Sequence, residues 1–343
     1  MKRVLLKLGL VLLGVALTLV AIELVMATWY PQPGAPGETT IGWGNRIHQA
    51  SEVPGLHYEL RPGAEKTYRP KRQQGAELPI HVNRFGMRGR EFERVKGDAR
   101  RVAVLGDSTT FGYGVSDDES YPAVLEALLN DRDPDHSYQV LNFGVAGYGT
   151  TEEALVLEHK ALPFEPDAIV VGYNLNDPDA EHALEPLYNH FTEPAWWRHF
   201  HLTRFVAERQ RQRRIATLGG GNPIRYWHVP GRENWATVER GFARIAELAQ
   251  EAQLPVLVVI FTAGAPKKDP AEYDLRDVHA QVAAEARANG FAVIDTSPIY
   301  SALQAAGKKT QFPHQHPTAL GQRAAAEAIA DWLLGAKGPL GGS

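Results

Sequence analysis

Between Arg101 and Gly106 the chain runs Arg-Val-Ala-Val-Leu-Gly, and this apolar stretch stops abruptly at Asp107-Ser108. A run of that length cut off by a turn reads as a buried strand with a serine at its mouth. Four more β-like runs follow, at 138–143, 167–172, 255–261 and 291–295. Helical stretches near 120–130, 151–161, 236–252 and 274–289 separate them, with a last helix at 318–335. Such alternation predicts parallel strands, because each crossover helix returns the chain to the same end of the sheet, and it covers both faces. Val256-Leu-Val-Val-Ile-Phe261 is apolar throughout, as a central strand buried on both sides must be. The expected fold class is α/β, a three-layer sandwich around a five-stranded parallel sheet.

Three later segments repeat the design of an extended run ending in a small, amide or imidazole residue. They are Tyr138–Gly147, Asp167–Asp177 and Phe312–Gly321, and with the first they supply Ser108, Gly147, Asn176 and His316 in that order. Read alone, Gly147 serves a turn with Gly149, and Asn176 a turn or cap before Pro178. Read together, residues 100–335 resemble the SGNH hydrolases, the GDSL esterase/lipase family, whose name spells those four residues. The resemblance implies a flavodoxin-like three-layer α/β/α sandwich with strand order 2-1-3-4-5, with Ser108 and Asn176 flanking the switch point where ligands bind in open α/β sheets.

The chemistry implied is acyl-ester cleavage. A serine hydroxyl is a weak nucleophile at neutral pH and needs an imidazole to take its proton, here His316. Pro317 reads as a first helical residue, which would set His316 just outside a helix N-terminus whose positive end keeps the ring neutral. The N–H groups of Ser108 and Gly147 and the Asn176 amide would then receive the oxyanion. The family places an aspartate three residues before its histidine, where this chain has Pro313. A backbone carbonyl in a Ser-His dyad, or Asp295 at the end of the last strand, are the candidates to orient His316. A silent site is the third reading, and His314 is the rival base.

Neither a GxGxxG fingerprint, a Walker loop, an HExxH motif nor a GxSxG elbow occurs, and no cofactor or metal is expected. With no cysteine, disulfides and thiolate chemistry are excluded. Lys plus Arg number 36 against 40 Asp plus Glu, which gives no electrostatic reason to expect nucleic acid.

Residues 1–30 read as a transmembrane anchor or signal segment. Lys2, Arg3 and Lys7 precede an apolar run from Leu8 to Ala27 long enough to span a bilayer, with the basic end cytoplasmic. Cleavage near Val25-Met-Ala27 would instead release a secreted protein. Either way the enzyme is expected beyond the cytoplasmic membrane, periplasmic or at the cell surface. Residues 31–100 are rich in proline and read as a linker and small accessory β element packing on the main domain, residues 101–335 as the hydrolase domain, and 336–343 as a flexible tail.

An insertion at 178–235 interrupts the alternation with Phe191, Trp196, Trp197, Phe200, Tyr226, Trp227 and Trp235, among His190, His199 and His201. It reads either as a lid shaping an acyl or glycan groove or as a private mini-core. Arg204, Arg209, Arg211, Arg213 and Arg214 form a basic helix face, solvated or meeting anionic headgroups. Expected partners are the membrane and an ester substrate: a glycan O-acyl group, a lipid or a small ester. Acyl transfer on the same site, or a non-catalytic polysaccharide- or partner-binding module, are the alternatives.

Overall fold

The structure, a computed structural model, describes residues 2–29, 47–68, 77–179, 191, 196, 200–264, 267–312 and 316–341. Helix α1 (Lys2–Trp29) is 28 residues long with no buried residue, and is long and apolar enough to cross a membrane. Two antiparallel pairs follow, β1 (His48–Ala50) with β2 (Tyr58–Leu60) and β3 (Glu65–Tyr68) with β4 (Leu78–His81).

The main sheet holds five strands: β5 (Arg100–Gly106), β6 (Tyr138–Asn142), β7 (Ala168–Tyr173), β8 (Val256–Ile260) and β9 (Ala292–Asp295). All pairs are parallel and the spatial order is β6-β5-β7-β8-β9. The second strand therefore lies on one side of the first and all later ones on the other, so the winding reverses between β5 and β7. Loops leaving those two carboxyl ends diverge to opposite faces and leave a crevice.

Side chains alternate across the sheet with the two-residue period of a strand. Ala103, Leu105, Ile169, Val171, Val258 and Ile260 fill one core, while Val102, Val104, Val170, Leu257 and Val259 fill the other. Helix α7 (Glu233–Ala252) closes the first with Trp235, Val238, Phe242, Ile245 and Leu248, spaced to share one helical face. Helices α3 (Tyr121–Arg132) and α10 (Ala319–Leu334) close the second with Tyr121, Leu125, Leu129, Ile329 and Leu333. Each such buried aliphatic side chain contributes about 1.5–3 kcal/mol.

Ile47, Leu56, Tyr58, Leu60, Ile80, Val82 and Met87 join the first core, so the accessory strands share it with the sheet. Two segments differ from the sequence expectation. Residues 336–341 are not a loose tail: Leu340 is buried, donates its N–H to Leu333 O at 3.0 Å, and accepts from Arg100 Nη1 at 2.7 Å. Residues 296–305, where the sequence pattern predicts no helix, form helix α9 (Thr296–Ala305), capped by Asp295, whose carboxylate accepts from Ser297 N at 2.8 Å. Pro298 suggests a break, but in a first helical turn it removes no intrahelical hydrogen bond.

The insertion contributes α5 (His201–Leu218) and α6 (Pro223–Trp227). After α6, His228 lies buried against β7, with Nε2 2.9 Å from Tyr173 Oη and Nδ1 2.7 Å from Ile224 O. A carbonyl can only accept, so Nδ1 carries the proton and Nε2 receives the Tyr173 hydroxyl. Burial is the main cause that pushes this imidazole down to about 4, and the nearby His279 acts in the same direction. The unfolded ring, near 6.5, binds a proton first as pH falls, so stability is full above that value and is lost toward pH 4. The loss is roughly 3 kcal/mol. The melting-temperature advantage of wild type over His228→Gln should therefore shrink between pH 7 and pH 4; a gap that stays constant across that range would refute the assignment.

Candidate active site

Ser108 opens a single helical turn, α2 (Ser108–Phe111), directly after β5, with Asp107 as its N-cap. The turn packs tightly because Gly106 and Gly172 are register partners on β5 and β7. A Cβ on either would collide with Thr110, whose hydroxyl lies 2.8 Å from Tyr121 Oη beneath the serine. At Gly112, φ +87° lets the chain leave the turn.

The structure brings Ser108 and His316 together. Ser108 Oγ lies 2.8 Å from His316 Nε2 and 3.1 Å from Asp107 Oδ2, and both residues are partly exposed. The imidazole is held differently from the sequence expectation. Pro317 is not the first helical residue: Thr318 caps α10, accepting from Gly321 N at 3.3 Å, and the helix starts at Ala319. Pro317 instead pairs with Gln311 in a short antiparallel bridge, in which Phe312 N donates to His316 O at 2.9 Å and Thr318 N to Thr310 O at 2.8 Å. Extended backbone, which the residue before proline favours, fixes His316 here. The ring of Tyr113 lies 4.6 Å from that of His316, centroid to centroid. Pro313 and His314 lie outside the described residues.

Gln322, fully buried on α10, bridges the two halves of the site. Its amide donates to Thr109 O at 3.3 Å and its carbonyl oxygen accepts from Tyr121 N at 2.9 Å. The helix following His316 is thereby locked to the turn bearing Ser108.

Gly147 sits in the loop after β6 with φ +84°. A Cβ there would stand 2.7 Å from Tyr58 Oη, which donates to Ala146 O at 2.8 Å, so both conformation and space require glycine. The loop is tied to the nucleophile strand by Val145 N donating to Gly106 O at 3.0 Å.

Asn176 is exposed beyond β7, and its Nδ2 reaches Asp107 Oδ2 at 3.3 Å. Asn174, which the sequence reading passed over, is buried and donates through Nδ2 to Asp107 Oδ1; Thr109 N donates to the same oxygen at 2.8 Å. Asp107 thus gathers the serine, its own turn and both asparagines. Burial pushes its carboxyl above the ordinary value, while these donors pull it back. Behind it, burial first and then repulsion from Asp107 raise the carboxyl of Glu153 well above its ordinary value, and burial with repulsion from Glu153 and Asp107 does the same to Asp177. Neither Glu153 oxygen meets a hydrogen-bond partner among the described residues, consistent with a protonated group.

The structure places Asp295 away from the orienting role that the sequence left open for it. Its carboxylate lies 2.8 Å from His279 Nδ1 while capping α9, so it is committed to holding two helices on β9. Of the insertion's aromatics, Tyr226 and Trp235 are buried, the packing outcome, whereas Trp196 is 74% and Phe200 46% exposed. Phe191 stacks on Tyr58 at 5.6 Å, joining the insertion to the Gly147 loop. Trp197, His190 and His199 lie outside the described residues. Among the described residues no group of histidines and carboxylates could hold a metal ion.

A 94-residue stretch is 34% identical to an acetylxylan esterase of Xylanibacter ruminicola, covering 25% of this chain but only 18% of that protein. Among solved structures, a lipolytic protein of the G-D-S-L family from Desulfitobacterium hafniense is similar over 67% of this chain and 97% of its own, at 14% identity and TM-score 0.42. The acetyl xylan esterase AlAXEase is similar over 67% of this chain and 97% of its own, at 17% identity and TM-score 0.43. The family model for GDSL-like lipases and acylhydrolases matches residues 104–324, from the strand before Ser108 to the helix after His316. With well over half its length inside that match, the chain belongs to the GDSL-like lipase/acylhydrolase family, the serine ester hydrolases also called SGNH hydrolases.

Proposed function

We propose that this chain cleaves an acyl ester through Ser108 on the non-cytoplasmic side of a membrane to which α1 anchors it. The observation that carries the reading is the 2.8 Å separation of Ser108 Oγ from His316 Nε2, on the carboxyl edge of the sheet beside the switch point. As Ser108 attacks the carbonyl carbon, its proton passes to Nε2 and the C=O π pair moves onto oxygen. The N–H groups of Ser108 and Gly147 and the Asn176 amide receive that oxyanion. Collapse expels the alcohol, which takes the proton from His316. Water, activated by the same imidazole, then releases the acid and restores the serine.

The Gln311–Pro317 bridge and the Tyr113 ring hold the imidazole beside Ser108. O-Acetyl groups of a glycan are the favoured substrate, supported by the acetylxylan esterase relative. The anchor reading is supported by the length of α1 and by Lys2, Arg3 and Lys7 at one end of its apolar run.

A fluorophosphonate probe should label the full-length protein at Ser108, and acetate should be released from acetylated xylo-oligosaccharide. Acetate that moves onto an added glycan acceptor would replace hydrolysis by transfer. Folded protein that takes no label would leave only a polysaccharide- or partner-binding role.

A further inference from the structure

Glu23 is the one acidic residue in the apolar segment of α1, and it is engaged. Its Oε1 lies 2.7 Å from His201 Nδ1 and accepts from His201 N, and its Oε2 accepts from Leu202 N at 3.1 Å. The carboxylate therefore caps the N-terminus of α5, which lies against α1. Such a contact sets a depth. The run Leu8–Ala27 spans about 30 Å at the helical rise, matching the hydrocarbon core, so Glu23 stands about 6 Å inside its Ala27 edge. The first turn of α5 must sit at that level.

The surroundings suit a membrane boundary. Trp29 is 84% exposed, and the neighbouring rings of Trp196 and Phe200, 6.3 Å apart, are exposed as well. Large aromatics are enriched at that level in membrane proteins. From there α5 carries five arginines and one glutamate, although the whole chain has a net charge of −4. Val206, Arg209 and Arg213, all exposed, fall on one stripe at three- and four-residue spacing.

We propose that α5 lies in the headgroup layer on the Trp29 side of the membrane, seated by Glu23 and binding the phosphates of anionic phospholipid through Arg209 and Arg213. The proposal rests on the reading that α1 spans the bilayer. It goes further in making the insertion a membrane-surface element that holds the catalytic domain at a fixed height. The occupant is lipid because the helix continues from the anchor at the depth of the bilayer edge, and its exposed stripe has the charge that phosphates complement.

The absence of cysteine permits a clean test on the full chain. Gln210→Cys, at an exposed position of α5, is labelled with an environment-sensitive fluorophore. The protein is then reconstituted in phosphatidylcholine vesicles with and without phosphatidylglycerol. With phosphatidylglycerol, the emission should shift to the blue and be quenched by lipids spin-labelled near the headgroup. R209Q/R213Q in the same background should lower the docked fraction on the order of tenfold. Carbonate washing separates the two readings. Protein that stays with the vesicles while the label remains solvent-exposed overturns the docking of α5 and leaves the anchor standing. Protein that washes off overturns both. An equal shift in neutral vesicles, unaffected by R209Q/R213Q, overturns the assignment to lipid phosphates.

Discussion

Ser108→Ala is expected to lower the turnover number for ester hydrolysis by four to six orders of magnitude, with little change in KM and none in the far-UV spectrum. The side chain has no share in the hydrophobic core and Asp107 keeps its other donors, so the loss is chemical, not structural. His316→Ala should fall by a similar factor, and the double variant hardly further, because nucleophile and base act as one unit. Asn176→Ala should lose about a hundredfold if its amide meets the oxyanion. A His316→Ala protein retaining most of its activity while His314→Ala loses it would reverse the assignment of the base.

Arg88→Ala should be the most destabilising single change outside the cores. The guanidinium is buried, with 1% of the side chain exposed, yet every bond it makes reaches the last residue of the nucleophile turn or the loop that follows it. Nε donates to Asp117 Oδ1 at 2.7 Å, Nη1 to Phe111 O and Gly112 O at 2.8 and 2.6 Å, and Nη2 to Val115 O at 2.8 Å. Burial pushes the group below its ordinary value, but a guanidinium starts so high that it remains charged. Truncation takes a buried charged donor from Asp117 Oδ1 and from three carbonyls, a loss of about 3–5 kcal/mol. That corresponds to a melting temperature lower by roughly 10 °C. Arg88→Lys should recover little, because one ammonium cannot reproduce the fork. A melting temperature within a degree or two of wild type for Arg88→Ala would show that the loop is held by other contacts.

Arg88 also marks a limit of sequence reading. Nothing in Gly86-Met-Arg-Gly89 distinguishes this arginine from the exposed Arg84 and Arg90 nearby. Its importance arises where the accessory element docks, a contact between residues 29 positions apart. Asn174 is a milder case. It stands two residues past Gly172, just beyond the end of β7, while the family pattern points to Asn176. Both amides reach Asp107, and only burial separates them: Asn174 is enclosed and Asn176 is exposed.

What the sequence determined is whatever one strand or helix encodes locally. The five strand positions and the helices between them follow from hydrophobic period and turn residues. The resemblance to the SGNH hydrolases, carried by four short segments, picks out Ser108, Gly147, Asn176 and His316, of which the first three follow the carboxyl ends of successive strands. The tertiary structure decided what depends on partners far apart in the chain: Asp295 given to His279, Leu340 folded back onto Arg100, Gln322 joining α10 to the serine turn, and Glu23 capping a helix 178 residues away. Local patterning fixes which face of an element is buried, whereas a hydrogen bond across the molecule needs two side chains placed within about 3 Å, which only the assembled packing supplies.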